Sequence, residues 1–348
     1  MLKHRFENDY SELAHPGILT ALASAGTVQF DGYGLDEFSL RAADLIRARI
    51  DNPGANVHFI GGGTHANLVV LSSILRPHEA VIAPVSGHIY IHETGAIEAT
   101  GHKVCTINGV HGKIGADGVE LVVKEHTDEH MVKPRVVYIS QSTEAGTVYT
   151  RAELSEISEC CKRNGLYLYI DGARIGVAIN SDACDLTLRD IASLVDVFYI
   201  GGTKNGALFG EAIVICNDEL KQDFRFLLKQ KGALLAKTAA IGIQFEAMLN
   251  NGLFDELSTH AISIARRLAD GIIKAGYGFL HPVETNMIFP ILPSATVERL
   301  HRYYSFHDWE KTGDMTAIRL VTSWATTEAD VDGFLDDLRK FSKISTNY

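Results

Sequence analysis

Short apolar runs rich in β-branched residues recur along the first two thirds of the chain, separated by longer stretches with helical spacing. The runs are VHFIGG, AVIAPV, HKVCTI, RVVYIS, LYLYID, VDVFYIGG and GEAIVIC. Their length and composition suit strands buried on both faces. THANLVVLSSILR and RAELSEISECCKRNG carry the helical period, and the second closes on Gly165, a helix stop signal. Repeated β-α-β alternation predicts an α/β fold with a mostly parallel central sheet flanked by helices. After about residue 245 the texture changes. Helical stretches over Thr238 to Leu249 and Ser258 to Ala275 precede two strand candidates, TNMIFPILP and AIRLVTSW. The expected division is a large domain over 16–245 and a smaller C-terminal α+β domain over 246–348. With no repeat or Pro-rich linker between them, the two are expected to pack closely.

A chain of 348 residues exceeds what one core usually organises, which agrees with two domains. Hydrophobic residues make up 46% and charged residues 22%, an ordinary globular balance, and no apolar run reaches membrane-spanning length. The formal net charge of -11 argues against a nucleic-acid partner, because phosphate binding needs clustered Lys and Arg. Five cysteines without a CxxC pair read as reduced structural thiols, and the polar N-terminus lacks a signal-peptide core. The expectation is a cytoplasmic protein with a small-molecule ligand and no membrane partner.

Candidate chemistry gathers where strands end, the place at which open α/β sheets bind ligands. Asp171 ends LYLYID and is followed by Gly172 and Arg174. It could cap the next helix, or it could be a buried carboxylate that keeps a heterocyclic nitrogen protonated, as the pyridine of pyridoxal phosphate (PLP) requires. Lys204 in YIGGTKNG stands between glycines after the next strand. Alone it reads as a solvated loop lysine; beside Asp171 it can form the Schiff base while Asp171 pairs with the ring nitrogen. A third site is HFIGGGTHANL, where Gly63 and Thr64 enter a helix whose free N–H groups suit a phosphate. The spacing fails GxGxxG, and no GK[ST] follows, so a monophosphate fits better than a dinucleotide or nucleoside triphosphate.

Taken in order, GGGTHANL, SGHIYIHETGA, DGARIG and GGTKNG resemble the aromatic-amino-acid beta-eliminating lyase and threonine aldolase family of fold-type I PLP enzymes. The resemblance spans nearly the whole chain. It implies a fold-type I PLP-dependent transferase-like fold, with Lys204 as the Schiff-base lysine, Asp171 on the pyridine nitrogen, Gly63 and Thr64 on the phosphate, and His88 stacked on the ring. Arg174 would contact the cofactor's phenolic oxygen or the substrate carboxylate, and Arg319 in AIRLVTSW would be the carboxylate clamp. FENDYSELAHPGIL resembles the family's N-terminal segment, so residues 1–15 are expected to contribute to the site. Asn8 and Tyr33 fall in segments that the family lays over it, although Asn8 could cap the first helix and Tyr33 could be packing. The resemblance also implies a homodimer or homotetramer with sites at the interface. One of Lys229, Lys231 and Lys237 would then reach a neighbouring phosphate.

The implied reaction is retro-aldol cleavage of an L-threonine-type β-hydroxy-α-amino acid to glycine and an aldehyde. One departure concerns the base. Many threonine aldolases carry Thr-His after the strand matching RVVYIS, whereas this chain has Thr143-Glu144, as in the branch that resembles phenylserine aldolases. His88, with Glu144 acting through a water, is the expected handler of the hydroxyl proton. Two alternatives share the same motifs: another PLP reaction such as β-elimination, or a non-catalytic α/β ligand-binding protein.

Overall fold

The computed structural model describes residues 3–345. All seven apolar runs form one sheet. Across it the strands are Asn56–Ile60, Glu211–Ile215, Val197–Gly201, Tyr167–Asp171, Lys133–Ser140, Glu79–Pro84 and Lys103–Ile107. All neighbours are parallel except Glu211–Ile215, which runs antiparallel to both strands beside it. Helices cover both faces. Along the central strands side chains alternate between two cores: Val137, Ile139, Leu168, Ile170, Phe198 and Ile200 enter one, and Val136, Tyr138, Tyr169, Val197 and Tyr199 enter the other. That alternation later decides which residues face the site.

The helices begin and end where their local chemistry dictates. Thr150 and Glu153 form a reciprocal capping box for Arg151–Asn164, and Gly165 ends that helix in the left-handed region at φ 64°. Helix Ala239–Asn250 contributes Met248 to the large core. The next helix, Leu253–Lys274, places Phe254 in that core and Ile264, Leu268 and Ile272 in another. This third core takes Leu292 from strand Ile291–Pro293 and Ile318 and Leu320 from strand Met315–Val321, with which the mostly exposed strand His307–Thr312 pairs. We propose the same two-domain division, drawn along helix Leu253–Lys274, since position 246 lies within Ala239–Asn250.

The N-terminal segment belongs to neither helical layer. Strand His4–Arg5 pairs with Tyr304–Ser305, and Phe6 is buried in the C-terminal core. Residues 8 to 10 then cross to the ends of the large-domain strands, where Asp9 meets Arg174.

Candidate active site

Sheet geometry selects the residues that meet. Asp171 follows Tyr169 by two positions, so it points to the face shared by Tyr138, Tyr169 and Tyr199, against helix Gly63–Ile74. There it accepts hydrogen bonds from Tyr199 Oη (2.5 Å), Tyr138 Oη (2.7 Å), Asn67 Nδ2 (3.1 Å) and the Ala173 N–H (3.0 Å). Burial acts to raise its pKa, but the tyrosine donors, His88 and Asn67 prevail and hold it below the ordinary aspartate value. Asp171 stays an anion. Its helix-capping role is confined to the Ala173 turn, because no side chain caps Ile175–Ile179.

Two glycines let the Asp171 and Lys204 loops cross. A Cβ on Gly172 would stand 1.7 Å from the Tyr199 carbonyl oxygen, and one on Gly201 would stand 2.3 Å from that of Ala173. The crossing sets Lys204 beside the cavity that Asp171 lines, a space of about 320 Å³. Burial first, then the Arg174 guanidinium, lowers the Lys204 pKa against the pull of Asp9, Glu144 and Asp171. A larger neutral fraction makes the amine a better nucleophile.

Gly63 and Thr64 open a twelve-residue helix that no side chain caps, and Cβ atoms on Gly61 and Gly62 would project into open space. Backbone N–H groups are therefore free for an anion. Gly63 has a second reason to lack a side chain, since its Cβ would stand 2.9 Å from the Tyr199 hydroxyl that serves Asp171. An uncapped helix start, an ionised buried carboxylate and a lysine on one cavity fit the phosphate, pyridine and aldehyde of PLP.

A second cavity of about 480 Å³ adjoins the first, and Tyr10, His88, Glu144 and Lys204 line both. His88 Nδ1 lies 2.7 Å from Glu93 Oε1. Burial acts to lower the His88 pKa, but Glu93, Asp171 and Glu144 raise it above the ordinary value. Glu144 sits on a loop pinned by Thr147 Oγ1, which donates to the His111 carbonyl at 2.7 Å. The two arginines differ in employment. Arg174 donates from Nε and Nη2 to the two oxygens of Asp9 at 2.7 and 3.1 Å, a buried bidentate pair. Arg319 donates only to the Glu7 carbonyl at 3.2 Å, and its buried Nε has no partner among the described residues. A half-buried guanidinium whose buried Nε is an unused donor suits a ligand carboxylate.

Asn8 also lines the second cavity, but its side chain accepts from Tyr10 N–H and Ser11 Oγ; His15, not Asn8, caps the first helix, Pro16–Ser24. Tyr33 lines neither cavity. It is partly exposed, with Lys229 Nζ 4.6 Å from its ring centroid. Lys229, Lys231 and Lys237 likewise line neither cavity.

Sequence reasoning missed Asp9, Asn67, Glu93, Tyr138, Tyr199 and Glu211. The tyrosines carried one usable signal: each occupies the same strand face as Asp171, by period two. Glu211 is a buried acid at the start of its strand, accepting from Thr203 Oγ1 and the Gly202 N–H, each at 2.8 Å. Burial raises its pKa to about 7, against those bonds and Lys204. A carboxyl raised from 4.5 keeps its proton better folded than unfolded, so its contribution to stability is full below 4.5 and lost as pH rises through 7. Glu211→Gln is therefore expected to gain on the wild type in thermal melts of the PLP-free protein between pH 5 and pH 8. The gain is up to about 3 kcal/mol. A difference independent of pH would show that Glu211 does not titrate in this range.

The fold and this site together define a fold-type I enzyme, the class built around PLP. Comparison with known proteins gives the narrower placement. A sequence model of the beta-eliminating lyase family matches residues 18–294. A low specificity L-threonine aldolase from Pseudomonas sp. (strain NCIMB 10558) is 33% identical over 95% of this chain and 96% of its own length. The solved threonine aldolase of Leishmania major is 46% identical, with a TM-score of 0.95 over 97% of this chain and 99% of that one. An aspartate aminotransferase of Thermus thermophilus, at 16% identity and a TM-score of 0.74 over 98% of this chain and 91% of its own, shares the fold. This chain belongs to the beta-eliminating lyase family.

Proposed function

We propose that the protein is a PLP-dependent aldehyde-lyase that cleaves the Cα–Cβ bond of an L-threonine-type β-hydroxy-α-amino acid, releasing glycine and an aldehyde. The observation that carries this reading is the pair of proton acceptors, His88 and Glu144, lining both the cavity with Lys204 and Asp171 and the cavity with Arg319. Bound PLP would supply the electron sink for the pair left at Cα. Lys204 would hold it, Asp171 would keep a proton on its pyridine nitrogen, Gly63 and Thr64 would bind its phosphate, and His88 would lie against its ring. Arg319 clamps the substrate carboxylate, which fixes the Cα substituents and selects the bond that breaks. Arg174, tied to Asp9, presents a fixed positive charge to the same space. His88, with Glu144 through a water, takes the β-hydroxyl proton as the carbonyl forms.

The arrangement also supports a second copy at the site. Leu13, Leu35, Tyr90, Ile91 and Phe226 are exposed apolar side chains. A homodimer or dimer of dimers would cover them, and Asn8, Tyr33 and one of the three lysines would serve a shared site across that interface. No helix among the described residues is long and apolar enough to cross a membrane. Cys105, Cys160, Cys161, Cys184 and Cys216 are all free thiols, which suits the reducing cytoplasm.

Product analysis tests the reaction. With L-threonine or phenylserine the expected products are glycine and the matching aldehyde; ammonia and a keto acid would overturn the aldolase reading in favour of β-elimination. Glu144→Gln is expected to slow cleavage roughly 10- to 100-fold, near the low end of a general-base effect. Unchanged kinetics across pH would remove Glu144 from proton transfer.

A further inference from the structure

Glu93 is a buried carboxylate beside the candidate site. Its side chain is fully buried, five residues beyond His88, and burial raises its pKa. It has two partners. Oε1 accepts from Asn67 Nδ2 at 2.7 Å and faces His88 Nδ1 at 2.7 Å, while Oε2 is buried without a partner among the described residues. Keeping an acid in such a place costs stability, which points to a site that uses its charge.

With Glu93 ionised, the surrounding bonds leave one consistent assignment of hydrogens. Tyr169 Oη donates to Asn67 Oδ1 at 2.7 Å, so the amide cannot flip without turning its oxygen toward two carboxylates. Asn67 Nδ2 therefore spends one hydrogen on Glu93 and the other on Asp171 Oδ2 at 3.1 Å. With Glu93 ionised, Oε1 can only accept, from His88 as well as from Asn67, which places the imidazole proton on Nδ1. The other ring nitrogen, Nε2, is left as the proton acceptor. His88 lines both cavities, so that nitrogen is the one available to a ligand.

We propose that Glu93 is a positioning residue that acts through His88, fixing the Nδ1–H tautomer and making Nε2 the base for the β-hydroxyl proton, with Asn67 tying this dyad to Asp171. The inference rests on the aldolase reading above and deepens it. In the step concerned, the β-hydroxyl O–H bond breaks and its proton goes to His88 Nε2. The oxygen pair forms the aldehyde C=O, and the Cα–Cβ pair stays with the glycyl fragment, which later regains a proton at Cα. A carboxylate on the far nitrogen strengthens the imidazole as a base and stabilises the imidazolium that forms. Glu93, Asp171 and Glu144 raise the proton affinity of His88, and the other acidic and basic side chains lining the second cavity are His92, Arg174, Lys204, His307, Asp308 and Arg319. Among the described carboxylates, Glu93 is the one within hydrogen-bond distance of the ring.

The test is histidine ¹⁵N NMR on the full chain, with and without PLP, using His88→Asn to assign the signal. In the wild type above its pKa, His88 is expected as the Nδ1–H tautomer; an Nε2–H tautomer would overturn the proposal without need of any Glu93 variant. Glu93→Gln keeps the shape and removes the charge. It is expected to lower the His88 pKa by about one to two units, with Glu93→Asp restoring part of the shift. In turnover, Glu93→Gln should move the acid limb of kcat/KM to lower pH and reduce its plateau about 10- to 100-fold. A pKa and pH profile equal to the wild type's would make Glu93 merely structural. The NMR result does not depend on which products the enzyme forms, so failure of the aldolase reading and failure of this inference are read separately.

Discussion

Lys204→Ala is expected to abolish turnover, lowering kcat/KM by on the order of 10⁴-fold or more. Among the residues lining the two cavities, Lys204 is the one lysine, so no neighbouring amine can replace it. Its pKa, lowered by burial and by Arg174, sets it apart from a surface lysine. Substitution should leave the fold intact, because the loop crossing is held by Gly172 and Gly201 and the strand by its neighbours. Two measurements check this: glycine release from L-threonine, and the visible absorbance of protein-bound PLP. Retention of more than about a hundredth of wild-type activity would mean that Lys204 is not the cofactor lysine. The Glu93 variants should by contrast keep the absorbance and lose rate, which separates binding from proton transfer.

The large domain was legible in the sequence because buried parallel strands announce themselves as apolar runs, and all seven runs became strands of one sheet. Strand His307–Thr312 was not. Its residues HDWEKT are mostly exposed, and pairing with Met315–Val321, through contacts such as His307 opposite Arg319, holds it in place rather than burial. The site divides in a similar way. Asp171, Lys204 and the Gly63-Thr64 turn were readable because glycines and strand ends mark them locally. Asn67 and Glu93 were not, since a polar residue within an apolar helix or beside a histidine does not reveal partners 104 and 26 residues away. Asp9 was hidden by distance as well: its partner, Arg174, lies 165 residues along the chain. The motif set therefore pointed to the cofactor, while the groups that tune its neighbours became visible only through packing.

Asp171→Asn is expected to reduce kcat by about 10²- to 10⁴-fold while leaving the protein folded. Asparagine keeps the shape and can still accept from Tyr199 or Tyr138, but it cannot offer the negative charge that holds a proton on the pyridine nitrogen. The electron sink would weaken while Lys204 and the Gly63-Thr64 turn still bind. KM should consequently change far less than kcat, and the visible spectrum of the bound cofactor should shift rather than vanish. A stability measurement supplies an independent check of the charge itself. Because its donors hold the folded carboxyl below the ordinary value of 3.8, Asp171 stabilises the fold above that pH and loses this contribution as pH falls through its folded pKa. Wild type should exceed Asp171→Asn in thermal melts of the PLP-free protein at pH 7, and the gap should close below about pH 4. Equal melts at both pH values together with an unchanged kcat would show that Asp171 is neutral in the fold, and the four donors around it would then need another explanation.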